Sequence, residues 1–127
     1  MKETEGSWAK ARAQEGMGGP PGVRDYAGSL MVMLTHECPL RCAYCGVVRD
    51  RRSMTWPVLR RGVDLLCSSE SPRLQLRYFG GEPLLKFDLI RRAIVYSEGQ
   101  GRRLGKKIHH MITTNGLALD ESQLAWF

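Results

Sequence analysis

An α/β fold with parallel strands is what this sequence predicts, and two observations predict it. Short apolar runs alternate with segments whose apolar residues fall at helical spacing, in the order strand, helix, strand, helix, strand, start of helix. Each run also gives way to a polar or glycine-rich turn, as strands do where they hand over to a crossover. Alternation of this kind implies right-handed βαβ units and a parallel sheet.

Residues 1–28 read as a disordered or flexible lead-in. Gly16, Gly18, Gly19, Pro20, Pro21 and Gly22 punctuate them, and apolar residues are few, with Trp8 and Tyr26 the exceptions. The remaining residues, 29–127, read as one unit. Leu30 to Leu34 is a continuous apolar run, expected of a strand buried on both faces of a parallel sheet. A polar loop bearing three cysteines follows, from Thr35 to Ser53. The first helix is then signalled by Thr55 as a cap, Pro57 in the first turn, and Val58, Leu59, Gly62, Val63, Leu66 and Cys67 at helical spacing. Leu74 to Phe79 is a second strand, ending at Gly80-Gly81. Leu85, Leu89, Ile90, Ala93 and Ile94 mark a second helical face, and Gly99 to Gly105 reads as a basic loop. Ile108 to Thr114 is a third strand, Asn115-Gly116 turns the chain, and Asp120 with Gln123 resembles a capping box opening a third helix.

A three-stranded parallel sheet whose last covering helix is barely begun leaves apolar surface open. The sequence is therefore expected to be the front portion of a larger protein. At 127 residues it has room for one small domain, and its 43% apolar content is ordinary for a globular chain. The net charge of +6 favours acidic partners. It is split, however, between a knot at Arg49, Arg51 and Arg52 and another at Arg102, Arg103, Lys106 and Lys107. Both read as solvated loops, and nucleic acid is not expected as a partner. No apolar run approaches the roughly 20 residues that span a membrane, and no signal peptide precedes the four cysteines. The expected compartment is the cytoplasm, where clustered cysteines read as metal-binding or redox groups.

Cys38, Cys42 and Cys45 stand at C-x-x-x-C-x-x-C spacing directly after the first strand. Thiolates are soft ligands and suit iron–sulfur clusters. Three of them hold three irons of a cubane and leave the fourth without a protein ligand, which is a place for chemistry. Two other readings stand beside this one. His36 would complete a Cys3His zinc set in a non-enzymatic binding module. A ferredoxin-like carrier would need a fourth cysteine, and the sole candidate, Cys67, reads as a small core residue on a helix face. His109 and His110 read as structural, and Met31, Met33 and Met111 as core residues. In a parallel barrel, active groups occupy loops at the C-terminal ends of strands. The cysteine loop, Gly80-Gly81-Glu82-Pro83 and Thr113-Thr114-Asn115-Gly116 follow the three strands in turn, so all three are expected on one rim.

The cysteine triplet after one strand and G-G-E-P after the next resemble the radical S-adenosylmethionine (SAM) superfamily, over roughly Ser29 to Phe127. Phe79 to Leu85 and Thr113 to Gly116 look most like its peptide-modifying branch, whose members usually carry a SPASM extension with further clusters; the branch of the molybdenum-cofactor cyclases has similar segments. The resemblance implies a partial (β/α) TIM-like barrel, of which this sequence would be the N-terminal half, cut short and not expected to turn over alone. It implies a 4Fe–4S cluster on Cys38, Cys42 and Cys45, with S-adenosyl-L-methionine chelating the open iron. Reductive cleavage would then give a 5′-deoxyadenosyl radical that takes hydrogen from a substrate, a peptide or protein in the branch most resembled. Tyr44 would lie near the adenine. Gly80 and Gly81 would let the backbone approach the ligand, with Pro83 fixing the turn. Glu82 would accept from the methionyl ammonium, and Thr113 and Asn115 would make polar contacts. A flavodoxin- or ferredoxin-type donor would supply the electron.

Overall fold

The computed structural model describes residues 28–127. The expectations for residues 1–27, including those for Trp8 and Tyr26, lie outside the described residues. Three strands form one parallel sheet in the order β1 (Ser29–Met33), β2 (Arg73–Phe79), β3 (Lys107–Ile112). Helix α1 (Trp56–Cys67) connects the first two and α2 (Phe87–Leu104) the last two, with a short 3-10 turn at Pro83–Lys86 before α2; α3 (Glu121–Trp126) follows β3. The register aligns Val32 with Tyr78 and Tyr78 with Ile112.

Side chains alternate across a strand, so each strand offers one residue set to each face of the sheet. Val32, Leu74, Leu76 and Tyr78 meet Leu59, Val63, Leu66 and Cys67 of α1 and Ile90 and Ala93 of α2 in a single core. Cys67 is thus the core residue its spacing suggests, and burial pushes its thiol up from its ordinary value. Gly62 lets α1 approach β1: a Cβ there would lie 3.3 Å from Leu30 Cδ2.

Several expectations need correction. The first strand is not buried on both faces. Both long helices lie on one side, and Met31 (54% exposed), Met33 and Met111 project from the other, so none of these methionines is in the core. Val58, at 57% exposure, likewise falls on the outer side of α1. The basic stretch from Gly99 is not a loop but the last turns of α2, which ends at Gly105 in the left-handed conformation (φ 66°). Glycine is tolerated inside that helix because Gly101 is where it touches the sheet. A Cβ there would come within 2.9 Å of Lys106 O and 3.3 Å of Ile108 Cγ1. Lys106 is likewise no solvated loop residue, since its ammonium donates to the carbonyls of Cys67 and Ser69 and so ties β3 to the end of α1.

His110 is on the helix-covered face. Its ring stacks on Tyr78 at 6.0 Å between centroids, and its Nδ1 lies 3.1 Å from the Tyr78 hydroxyl. His109 is on the exposed face. At α3, Asp120 Oδ1 accepts from Gln123 N at 2.8 Å. The return half of the capping box is not made, because Gln123 Oε1 is buried without a partner.

Candidate metal and cofactor site

The loop after β1 is tied at its base and loose beyond it. Thr35 and Ser53 form an isolated antiparallel bridge. His36 N donates to Arg52 O (2.9 Å), Met54 N donates to Leu34 O (2.8 Å), and the Thr35 and Ser53 hydroxyls lie 3.0 Å apart. Between these ties the chain forms no helix or strand. Cys38 and Cys42 are half-buried and Cys45 is exposed, all three as free thiols. Tyr44 is 91% exposed. A hydrogen bond with Cys42, followed by electrostatic repulsion from the same residue, holds its hydroxyl above the ordinary range.

The turn after β2 is built differently. Gly81 N donates to Thr35 O at 2.7 Å and Glu82 N to Glu37 O at 2.8 Å, so the turn is hydrogen-bonded along the stem of the cysteine loop. Glycine is required there by that approach. A Cβ on Gly80 would come within 2.5 Å of Thr35 O, at a backbone φ of 154° that side chains avoid, and one on Gly81 would overlap the Glu37 carbonyl. The two glycines therefore serve first to seat this turn against residues 35–37. Pro83 is buried and opens the 3-10 turn. Lys86 pairs with Glu37 at 3.2 Å across the same junction.

Glu82 is fully buried, and its carboxyl group is held by three donors. Oε1 accepts from Leu84 N (2.9 Å) and from the Thr114 hydroxyl (2.6 Å), and Oε2 accepts from Asn115 N (2.9 Å). Asn115 continues the chain of contacts, its Nδ2 donating to Cys38 Sγ at 3.6 Å. One residue after β3 thus joins the acid after β2 to the first cysteine after β1, and all three turns meet on one rim. Thr113 is exposed, and its N donates to Tyr78 O, extending the β2–β3 ladder. Thr114 was not singled out from the sequence. The available signal was the Thr-Thr pair at a strand end: neighbours there point to opposite sides, so one of the two had to face the adjacent turn.

His36 Nδ1 lies 3.3 Å from Asp50 Oδ1, without the alignment of a hydrogen bond. Hydrogen bonds from Arg52 bring the Asp50 carboxyl down to about 2. Among the described residues no three His, Cys, Asp or Glu side chains are gathered closely enough to hold a metal ion. The donor chemistry nevertheless fits an iron–sulfur cluster. Three soft, unpaired thiols share one loop, that loop is tied only at its base, and an amide N–H reaches one of the sulfurs.

A family model described as the Radical SAM superfamily matches residues 32–127. This chain belongs to the radical SAM superfamily. Among curated relatives, PqqA peptide cyclase from Streptomyces rochei is 34% identical over 104 residues, covering 78% of this chain and 26% of the relative. PqqA peptide cyclase from Gluconobacter oxydans is 33% identical over 98 residues, covering 76% and 25% respectively. GTP 3′,8-cyclase from Corynebacterium glutamicum (strain R) is 33% identical over 106 residues, covering 75% and 26%. The radical SAM chain thus spans about a quarter of the length of these relatives. No helix among the described residues is long and apolar enough to cross a membrane.

Proposed function

We propose that this chain supplies the cluster loop and the SAM-binding turn of a radical SAM enzyme acting in the cytoplasm. In this reading residues 29–127 form the opening part of a partial (β/α) barrel. The observation that carries the reading is the chain of contacts from Glu82 through Asn115 to Cys38. A structural zinc module using His36 would have no need of a buried acid wired to its first cysteine, and His36 itself faces Asp50.

Cys38, Cys42 and Cys45 would hold a 4Fe–4S cluster, leaving one iron for the amino and carboxylate groups of SAM. When bound, the cluster supplies one electron to the sulfonium, and the cofactor pair provides hydrogen-atom abstraction from substrate. The protein's part is positioning. A carboxyl group offers about four acceptor positions, of which three are filled by Leu84, Thr114 and Asn115. Glu82 is therefore a clamp on the turn first and an acceptor for the methionyl ammonium second. Gly80, Gly81 and Pro83 hold the backbone of that turn against the cysteine stem. Tyr44 presents its ring at the loop surface, where an adenine can lie against it. Thr113 and the amide of Asn115 offer polar contacts on the same rim.

A peptide or protein is the substrate class favoured by the PqqA peptide cyclase relatives, and a SPASM extension would accompany it. The GTP 3′,8-cyclase relatives, at the same level of identity, support a second reading in which a nucleotide is rearranged during cofactor biosynthesis. A flavodoxin- or ferredoxin-type protein would provide the electron.

Anaerobic reconstitution of the intact protein with iron and sulfide tests the core of this reading. The expected product is brown, carries a 4Fe–4S cluster, and releases 5′-deoxyadenosine and methionine when reduced with SAM; Cys42→Ala should do none of these. A colourless protein that takes up zinc and leaves SAM intact would contradict it. Substrate-stimulated cleavage with candidate peptides against GTP separates the two substrate classes.

A further inference from the structure

We infer that Asn115 is a positioning residue that sets the reduction potential of the cluster by hydrogen-bonding Cys38; this inference rests on the cluster reading above. The orientation of its amide is decided by its neighbours. Oδ1 accepts from Leu117 N at 2.9 Å, so the other end of the planar amide, Nδ2, is the end facing Cys38 Sγ at 3.6 Å. The backbone of the same residue is anchored independently, through Asn115 N to Glu82 Oε2 at 2.9 Å. Glu82 is in turn buried and held by Leu84 and Thr114. The donor aimed at Cys38 is thus fixed at two points outside the cysteine loop, 77 residues along the chain. Tyr44, which bonds Cys42, differs because it rides on the loop itself.

Hydrogen bonds to cluster sulfurs are among the main determinants of iron–sulfur potentials. A donor at a ligating sulfur stabilises the reduced form, which carries more negative charge, and so raises the potential. Asn115 would make the cluster easier to reduce by a modest donor. Through Glu82, it would also keep that sulfur in register with the turn proposed to receive the SAM ammonium.

The test is redox titration of the reconstituted protein, followed by EPR, for the parent and for Asn115→Asp and Asn115→Ala. Asn115→Asp keeps the acceptor for Leu117 N and replaces the amine donor with an acceptor oxygen; Asn115→Ala removes both. Each should lower the ratio of reduced to oxidised cluster at fixed potential, by on the order of tenfold, or about 59 mV for one electron. The shift should be larger for Asp. A variant could instead fail to retain its cluster, so the parent protein provides a second readout. With 15N-labelled asparagine, pulsed EPR of the reduced cluster should show a weak nitrogen coupling. Unchanged potentials in cluster-bearing variants, or no such coupling in the parent, would overturn the inference. If the parent assembles no cluster, iron and sulfide analysis shows that before any titration, and the cluster reading itself has failed.

Discussion

The turn at Gly80–Glu82 and the cysteine loop at residues 36–52 lie side by side on one rim, yet they are finished to different degrees. Glu82 is wholly buried, and its carboxyl group has three protein donors. In the cysteine loop, Tyr44 and Cys45 are exposed and the chain has no regular structure. The first region is preorganised by the fold, whereas the second is a loop without regular structure whose geometry, in the proposed reading, a bound cluster would complete. Most buried side-chain acceptors are satisfied by protein or ordered water, and the Glu82 carboxyl is satisfied by protein. In the proposed reading a cluster would satisfy the three thiols, so the fold need only deliver them to the right place.

This contrast implies a graded set of outcomes for stability. Glu82→Ala should be the most damaging, because it strands the Leu84 and Asn115 amides and the Thr114 hydroxyl together. A loss of about 4 kcal/mol in urea unfolding is expected. Gly81→Ala should follow, with about 2–3 kcal/mol lost as the stem at Glu37 is forced away; an unaltered midpoint would show that the turn and the loop are not joined as described.

A smaller effect is expected on the helix-covered face. Burial lowers the pKa of His110 from its ordinary 6.5, so the folded chain binds fewer protons than the unfolded chain below that pH. Stability from this residue is therefore complete at neutral pH and is lost as the pH falls from about 6.5 through the depressed folded value. His110→Gln should flatten that part of the stability–pH curve, and an unchanged slope would place the titration elsewhere. The smallest effect on the fold is expected from Cys45→Ser, within about 0.5 kcal/mol for the metal-free protein, although the same change should abolish cluster retention. A large loss of metal-free stability from Cys45→Ser would erase the distinction between the two regions.

Much of this arrangement was legible in the sequence. The alternation of Leu30–Leu34, Leu74–Phe79 and Ile108–Thr114 with helical patterns was enough for three parallel strands, and parallel strands alone bring the three turns to one rim. What the sequence did not reveal depended on non-local contacts. Met31 and Met33 look like core residues in any window, and only the placement of both long helices on one face exposes them. Gly99 and Gly101 look like loop punctuation, and the close approach of α2 to Ile108 accounts for Gly101, while a Cβ at Gly99 would meet nothing within 4 Å. Thr114 as a partner of Glu82 depends on the β2–β3 register, which no local pattern encodes. The glycine pair was expected to admit a ligand, and its visible role is to admit the backbone of residues 35–37.

The central claim, a three-cysteine cluster with one iron left for SAM beside the Glu82 turn, is tested most directly by electron–nuclear double resonance on the reduced, reconstituted protein with 17O-carboxylate-labelled SAM. The account predicts an oxygen hyperfine coupling that appears with labelled SAM and disappears in Cys42→Ala along with the cluster. A fully assembled cluster that shows no oxygen coupling at saturating SAM would contradict it.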